Sequence, residues 1–418
     1  MKNQGDDISN LIKEEQKELI ELTSELVKIP SSKNDNARIY SFAEDYLNKC
    51  GFNAFRNREE NPFMPLNDLH NVYVRFGDSK KGKKKILLNG HLDTVPVSSG
   101  WFFSPYSGVV EDGRLYGVGS SDMKGGCAAA IIALKALKRI CGNIDGEVFL
   151  NLVYGEEDSF SFGTDSFLRE FDAKKYDLVI IPEPSPLLGE NSYCITHKKV
   201  HKVSFPTVIT GAEGRALFQI DFSGRPAHAS QPSKGINAIH DASRLINALL
   251  DLDFFTNIKM GRGEYCILNL TGGSDGFTIP GKCSIEVNRH LVVGETWKTA
   301  MKEIKRILKR LNLKSKVMIN KKFSPTLEHE YNPYISRNTP LIEEFKKGLN
   351  PTHRNAVCNM TTRSVGDFNF FATRAKIPVV VFGPGGGNIH SANEFVNVSD
   401  LEVTAEHILD FFLRIFNQ

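Results

Sequence analysis

The chain has little charge imbalance, no paired-cysteine motif and no long apolar run, and each absence closes a class of function. Lys and Arg number 52 against 49 Asp and Glu, a formal net charge of +3. That offers no field for nucleic acid or an anionic membrane surface. The densest basic run, KKGKKK at 80–85, is broken by Gly82 and followed by Ile-Leu-Leu, the texture of a solvated loop leading into a strand. Seven cysteines are scattered without a C-x-x-C pair, which argues against a disulfide framework and for reduced thiols. The opening MKNQGDDISN is polar and lacks the apolar core of a secretory signal. No stretch approaches the ~18 apolar residues that a membrane helix requires. The expectation is a cytoplasmic protein with neither a nucleic-acid nor a membrane partner.

What is present is enough apolar material for more than one core: 418 residues, 41% hydrophobic. Apolar residues at helical spacing predict a helix over 8–28, stopped by Pro30, and a second over 37–50. Strands at 70–76, 85–90, 146–154 and 176–182 then alternate with helices at 125–140 and 164–171, the pattern of a layered α/β domain. Near 210 the texture changes. A strand in GAEGRALFQIDFSG, a helix at 235–250, strands at 264–270 and 283–292, a helix at 296–312 and a strand at 315–322 follow one another. This β-α-β-β-α-β order is that of a ferredoxin-like unit. Helices at 338–349, 366–374 and 399–416 and a strand at 377–383 resume the first texture. The fold class expected is α/β, a mixed sheet flanked by helices, with an inserted ferredoxin-like α+β domain. The domains expected are 1–210 with 325–418, and 211–324.

Five stretches place metal-type side chains at strand ends or in glycine-rich turns. They are His91 and Asp93 in ILLNGHLDTVPV, Asp122 in LYGVGSSDMKGG, Glu156 and Glu157 in LVYGEEDSF, Glu183 in VIIPEPSP, and His390 in VVVFGPGGGNIHSANEF. Each has a plain structural reading: a loop histidine, an N-cap aspartate, a solvated carboxylate. Their shared placement does not. Four of the five follow predicted strands, and open α/β sheets bind ligands outside the carboxyl ends of their strands. Burying adjacent, unpaired carboxylates is costly, and a cation offsets that cost. The N/O donor set suits Zn²⁺, Co²⁺ or Mn²⁺ and is large enough for two ions.

The motifs GHLDTVPV, GVGSSDMKGG, GEE, PEPS, GRPAHAS and FGPGGGNIH, in this order, resemble the dinuclear zinc peptidases and deacylases. That family includes acetylornithine deacetylase, succinyl-diaminopimelate desuccinylase, aminoacylase and carboxypeptidase G. The resemblance implies that His91, Asp122 and Glu183 hold one metal, and that Asp122, Glu157 and His390 hold the second. It further implies a cis peptide at Asp122–Met123, Asp93 orienting His91, and Glu156 as general base. His228 of GRPAHAS matches a histidine that stabilises the oxyanion, in several relatives from a partner subunit. Arg289 matches an arginine that holds a substrate carboxylate, and Gly385 falls in the glycine-rich turn that faces substrate. Phe277 stands where relatives carry a substrate-contacting asparagine, which leaves substrate identity open.

The expectation is therefore an enzyme with two divalent ions, most simply zinc, acting as a homodimer through the inserted domain. The implied reaction is cleavage of an amide bond in an N-acyl amino acid, with a dipeptidase or carboxypeptidase as the alternative. A catalytically silent binding protein of the same fold is a third reading, but it predicts a missing ligand or base, and none is missing.

Overall fold

Four apolar runs become parallel neighbours in the middle of one sheet. In the computed structural model, Glu147–Val153, Lys85–His91, Leu178–Pro184 and Val379–Gly383 lie side by side in that order, all running the same way. The antiparallel strands Val72–Gly77 and Thr207–Ala212 flank them, within a nine-stranded mixed sheet. Every residue of Glu147–Val153 and of Leu178–Pro184 is buried, as expected for interior parallel strands covered on both faces. The structure describes all residues except 1–3, 33–36, 57–69, 79–82, 158–160, 186–192, 197–198, 203–204, 253–255, 258–259, 323–330, 350–356 and 417–418.

The helices Gln4–Lys28, Gly125–Cys141 and Val398–Phe416 pack on one another. An aromatic cluster of Tyr73, Phe149, Phe167 and Phe171 joins the strands to the helix Phe162–Glu170. The start of helix Gly125–Cys141 comes very close to the sheet. A Cβ at Gly126 would lie 1.8 Å from the Pro182 carbonyl oxygen, so only glycine lets the helix begin there. From Lys85–His91 the chain crosses to one neighbour, Glu147–Val153, and then returns to the other, Leu178–Pro184. That reversal is a topological switch point, where such sheets form a crevice.

A small antiparallel sheet escapes the sequence reading. Gly386–Gly387, Phe395–Asn397, Arg114–Tyr116 and Val109–Glu111 pair in that order. Its strands are two or three residues long, too short for any period to register. It matters because it ties the His390 segment to the turn that carries Asp122.

The chain divides into two units, residues 1–211, 335–362 and 366–418, and residues 212–334 with 363–365. The second unit thus extends beyond the expected boundary at 324 and takes in Arg363, Ser364 and Val365. Its sheet runs Tyr265–Gly272, Lys282–Leu291, Gly214–Ser223, Lys316–Lys322, with all neighbours antiparallel. With helices Ala238–Leu250 and Trp297–Leu311 in sequence order, this is the ferredoxin-like arrangement. Strand Gly214–Ser223 alternates buried and half-buried residues, so one sheet face packs on the helices. Phe218, Ile220, Phe222, Leu245, Ile285 and Ile304 form that core. Asn237 and Thr296 cap the two helices through side-chain oxygens.

Strand Lys282–Leu291 corrects one expectation. Cys283, Ile285, Val287, Arg289 and Leu291 all fall on its buried side, so the period of two drives Arg289 into the core, where it is 1% exposed. Its guanidinium lies 2.5 Å from Glu295 and 3.7 Å from Glu303, bonds the His290 carbonyl and rests over the Tyr265 ring. Arg289 thus pairs within its own unit, an arrangement that departs from the expected role of holding a substrate carboxylate.

Candidate active site

The carboxyl ends of the four parallel strands deliver the chemistry. His91 is the last residue of Lys85–His91, and Glu183 the penultimate residue of Leu178–Pro184. Glu156 and Glu157 follow Glu147–Val153, and His390 follows Val379–Gly383. Asp122 enters from the turn before helix Gly125–Cys141, and the Asp122–Met123 peptide is cis.

Asp122 stands between the histidines. Its Oδ1 is 3.3 Å from His91 Nε2, and its Oδ2 is 3.4 Å from His390 Nε2. Glu183 Oε1 lies 3.5 Å from His91 Nε2, on the same side as the first contact. Glu157 Oε1 lies 2.9 Å from His390 Nε2. The donors therefore fall into two groups, His91 with Glu183 and His390 with Glu157, and Asp122 offers one oxygen to each. His91 Nε2 is buried and makes no hydrogen bond of good geometry, although two carboxylate oxygens are within 3.5 Å of it. A buried nitrogen aimed at carboxylates without bonding them suits a shared cation. Ligand atoms of His91, Asp122 and Glu157 all lie within 4.8 Å of one another. The residues present thus fit divalent metal ions with N/O ligands. His390, about half exposed, marks the open side.

The protons show how crowded the negative charge is. Burial pushes the Glu183 carboxyl up to about 8, with the Asp122 charge adding to it. Burial also raises Glu157, and raises Glu156 well above the usual carboxylate range. Burial would raise Asp122 too, but the facing His390 and His91 rings outweigh it and hold the carboxyl well below its usual value. Contacts with Asp122 and Glu157 lift the His390 imidazole to about 11. In His91, burial opposes the proton, yet Asp122 and Glu183 raise it well above the ordinary value. Protons on these groups occupy the place that cations take in a loaded site.

Gly155, at φ +67°, turns the chain out of the strand, a conformation that costs glycine little. Beyond it the two glutamates part. Glu157 reaches His390, whereas Glu156 Oε1 lies against Gly366, at the turn before Asp367–Phe370.

Asp93 departs from the expected arrangement. His91 Nδ1 sits 3.0 Å from the Asp93 backbone carbonyl and 3.9 Å from its carboxylate. The carbonyl therefore takes the ring N–H. The carboxylate instead accepts the Glu157 backbone N–H at 3.0 Å, fixing the glutamate pair. Gly385 also differs. It is buried, its carbonyl accepts from Asn397 N–H, and a side chain there would meet Asp400. Its missing side chain serves packing against Asp400, a role that the expected place at the substrate did not include.

His228 and Phe277 belong to the second unit, where backbone bonds join their loops: Ala229 N–H to the Phe277 carbonyl and Ile279 N–H to the Ala227 carbonyl, both 2.8 Å. Both side chains are exposed. His228 Nδ1 lies 2.8 Å from Ser230 Oγ and 3.2 Å from the Ser230 backbone nitrogen, which leaves Nε2 as the outward ring nitrogen.

Three residues escaped sequence reasoning. Glu394, 2% exposed, accepts backbone N–H groups of Gly119, Ser121 and Asp122 at 2.8–3.0 Å and clamps the Asp122 turn. A signal existed: it lies four residues after His390 in HSANEF. Buried Asp367 accepts from Asn89 Nδ2 at 2.9 Å, and Asn89 in turn accepts from Asn151. Following a glycine at a helix start, Asp367 reads as an ordinary helix-terminal aspartate. Lys124 is fully buried and donates to the Ile29 carbonyl. Burial lowers its ammonium to about 7.

Histidines and carboxylates gathered at the carboxyl edge of an α/β sheet define a metal-dependent hydrolase. Residues 87–414 match peptidase family M20/M25/M40, and the chain belongs to that family. It is 25% identical over 393 residues to a succinyl-diaminopimelate desuccinylase of Pseudoalteromonas translucida, covering 92% of this chain and 95% of that one. Among solved structures it resembles a tripeptidase of Staphylococcus aureus, at a TM-score of 0.75 and 20% identity, covering 96% and 99% of the two chains. It also resembles a dinuclear metal binding peptidase of Bacillus subtilis, at a TM-score of 0.67 and 13% identity, covering 97% and 99%. The protein is a hydrolase of amide or peptide bonds, and its family binds two metal ions. Among the described residues, no helix is long and apolar enough to cross a membrane.

Proposed function

We propose that the protein removes an acyl group from an N-acyl amino acid by hydrolysing its amide bond. The observation that carries the two-cation hydrolysis in this reading is Asp122, whose two oxygens face two separate histidine–carboxylate pairs. His91, Asp122 and Glu183 would hold one cation, and Asp122, Glu157 and His390 the other. When bound, the cations, zinc in the simplest case, supply Lewis-acid polarisation of the scissile carbonyl and acidify a water. Glu156 makes no pair with either histidine, and burial leaves its carboxyl with a high proton affinity. It takes the proton of the attacking water and hands it to the departing amine. By the resemblance, His228 of GRPAHAS, from this chain or from a partner subunit, would stabilise the oxyanion.

Support for the acyl substrate is the desuccinylase relative, which spans nearly the whole chain. Support for a homodimer is strand Tyr265–Gly272, which closes one edge of its sheet and leaves Leu268 and Leu270 exposed. A panel of N-acetyl and N-succinyl amino acids, dipeptides and tripeptides, with Zn²⁺, Co²⁺ or Mn²⁺ added, tests the substrate. Turnover of the acyl amino acids is expected; turnover confined to peptides would overturn the reading. Solution mass tests the dimer.

A further inference from the structure

The turn at Gly366 carries a second message about Glu156. A Cβ built at Gly366 would lie 2.8 Å from Glu156 Oε1 and 3.0 Å from the Phe368 ring. Among the described residues, no other side chain comes as close to it. The backbone at Gly366 is extended, with φ −171° and ψ −161°, so no left-handed conformation demands glycine here. Its amide is already satisfied by Asn369 Oδ1 at 3.0 Å, and its carbonyl by Asn369 N–H at 3.0 Å. Nothing in the backbone, then, explains the absence of a side chain. What the missing side chain leaves is room, bounded by the Phe368 ring and entered most closely by the carboxylate of Glu156.

We infer that Gly366 is a positioning residue, whose missing side chain sets where the Glu156 carboxylate rests. This rests on the reading of Glu156 as general base. The nearest contact is with the far end of a flexible side chain, so a methyl group at 366 pushes the carboxylate aside, while the Phe368 ring yields by a few tenths of an ångström. The cost falls on geometry: a misplacement of about 1 Å at a reacting group loses on the order of a hundredfold in rate.

The test is Gly366→Ala beside Glu156→Gln and Glu156→Ala, in metal-loaded protein, with the best substrate of the panel above. G366A should lower kcat about a hundredfold, leave KM within about twofold and retain both metals. Its crystal structure should show the Glu156 carboxylate displaced. A second readout needs no substrate. G366A should lower Tm more in the wild-type background than in the E156A background, where only the Phe368 ring contact remains. Unchanged kcat, an unmoved Glu156, or a raised KM with kcat retained would each overturn the inference. So would a failure of G366A to fold in both backgrounds. Full turnover by E156Q would instead bring down the general-base reading. Loss of turnover in E156Q with G366A at wild-type rate would bring down this inference alone.

Discussion

Arg289 and His91 are each about 1% exposed, yet the charges around them are arranged in contrasting ways. In the second unit one guanidinium is shared between Glu295 and Glu303, bonds a carbonyl and lies over an aromatic ring. Cation and anions are both supplied by the chain. In the first unit Asp93, Asp122, Glu156, Glu157, Glu183 and Asp367 gather around His91 and His390, with buried Lys124 near Asp93, and burial raises the carboxyls of all but Asp122. The first arrangement is complete as it stands. The second would be completed by cations from outside. A buried charge cluster announces a site when its own chain does not balance it.

Perturbing each cluster should expose the contrast, beginning with the largest effect. Glu156→Gln removes a base without removing a proposed ligand. It should reduce kcat by about 10²–10⁴-fold, with metal content by elemental analysis unchanged. Loss of metal together with activity would make Glu156 a ligand instead.

Arg289→Ala addresses the balanced cluster. Leaving Glu295 and Glu303 without their cation should destabilise the protein by about 3–5 kcal/mol in urea unfolding. Metal content should not change. The resemblance to dinuclear peptidases implied a substrate-binding arginine at this position, and Arg289→Met separates the alternatives. A structural residue predicts lost stability with KM held; a substrate ligand predicts raised KM with stability held.

A smaller effect is expected at Glu394. It touches no proposed ligand side chain, but it holds three amides of the Asp122 turn. Glu394→Ala should weaken metal binding by about 10–100-fold, the usual cost of removing a group that orients a ligand. Glu394→Gln keeps an acceptor oxygen and should recover most of that. Equal losses from both would point to its charge, and not its hydrogen bonds.

The sequence made the two proposed ligand pairs legible because strand ends are local features: an apolar run followed by His or Glu marks the carboxyl edge of a sheet. The ferredoxin-like unit was legible for a similar reason, since its strands and helices are long enough for their periods to show. What remained hidden depends on contacts across the chain. Glu394 acts through amides 272–275 positions away, and the four short strands behind it carry no period. Asp93 was misread because spacing cannot say whether its carbonyl or its carboxylate meets the His91 ring. At Arg289 two signals disagree: strand alternation places it with Ile285 and Val287 on the buried face, whereas the motif implies a substrate ligand.

The last prediction concerns pH and tests the unbalanced cluster directly. Burial holds the Glu183 carboxyl near about 8 in the folded protein, against about 4.3 for an ordinary glutamate. The folded state therefore keeps this proton over a pH range where the unfolded chain has released it. As pH rises through that window, ionisation favours the unfolded chain, and the metal-free protein loses stability. Glu183→Gln cannot ionise. Stripped of metal by chelation, the variant should match wild type near about pH 5 and exceed it above about pH 8, by a few degrees in Tm. With saturating Zn²⁺ the order should invert, because glutamine removes a charged ligand from a site that cations now balance. If the metal-free melting curves of the two proteins run parallel from about pH 5 to 9, Glu183 is not the proton-holding group that the geometry requires.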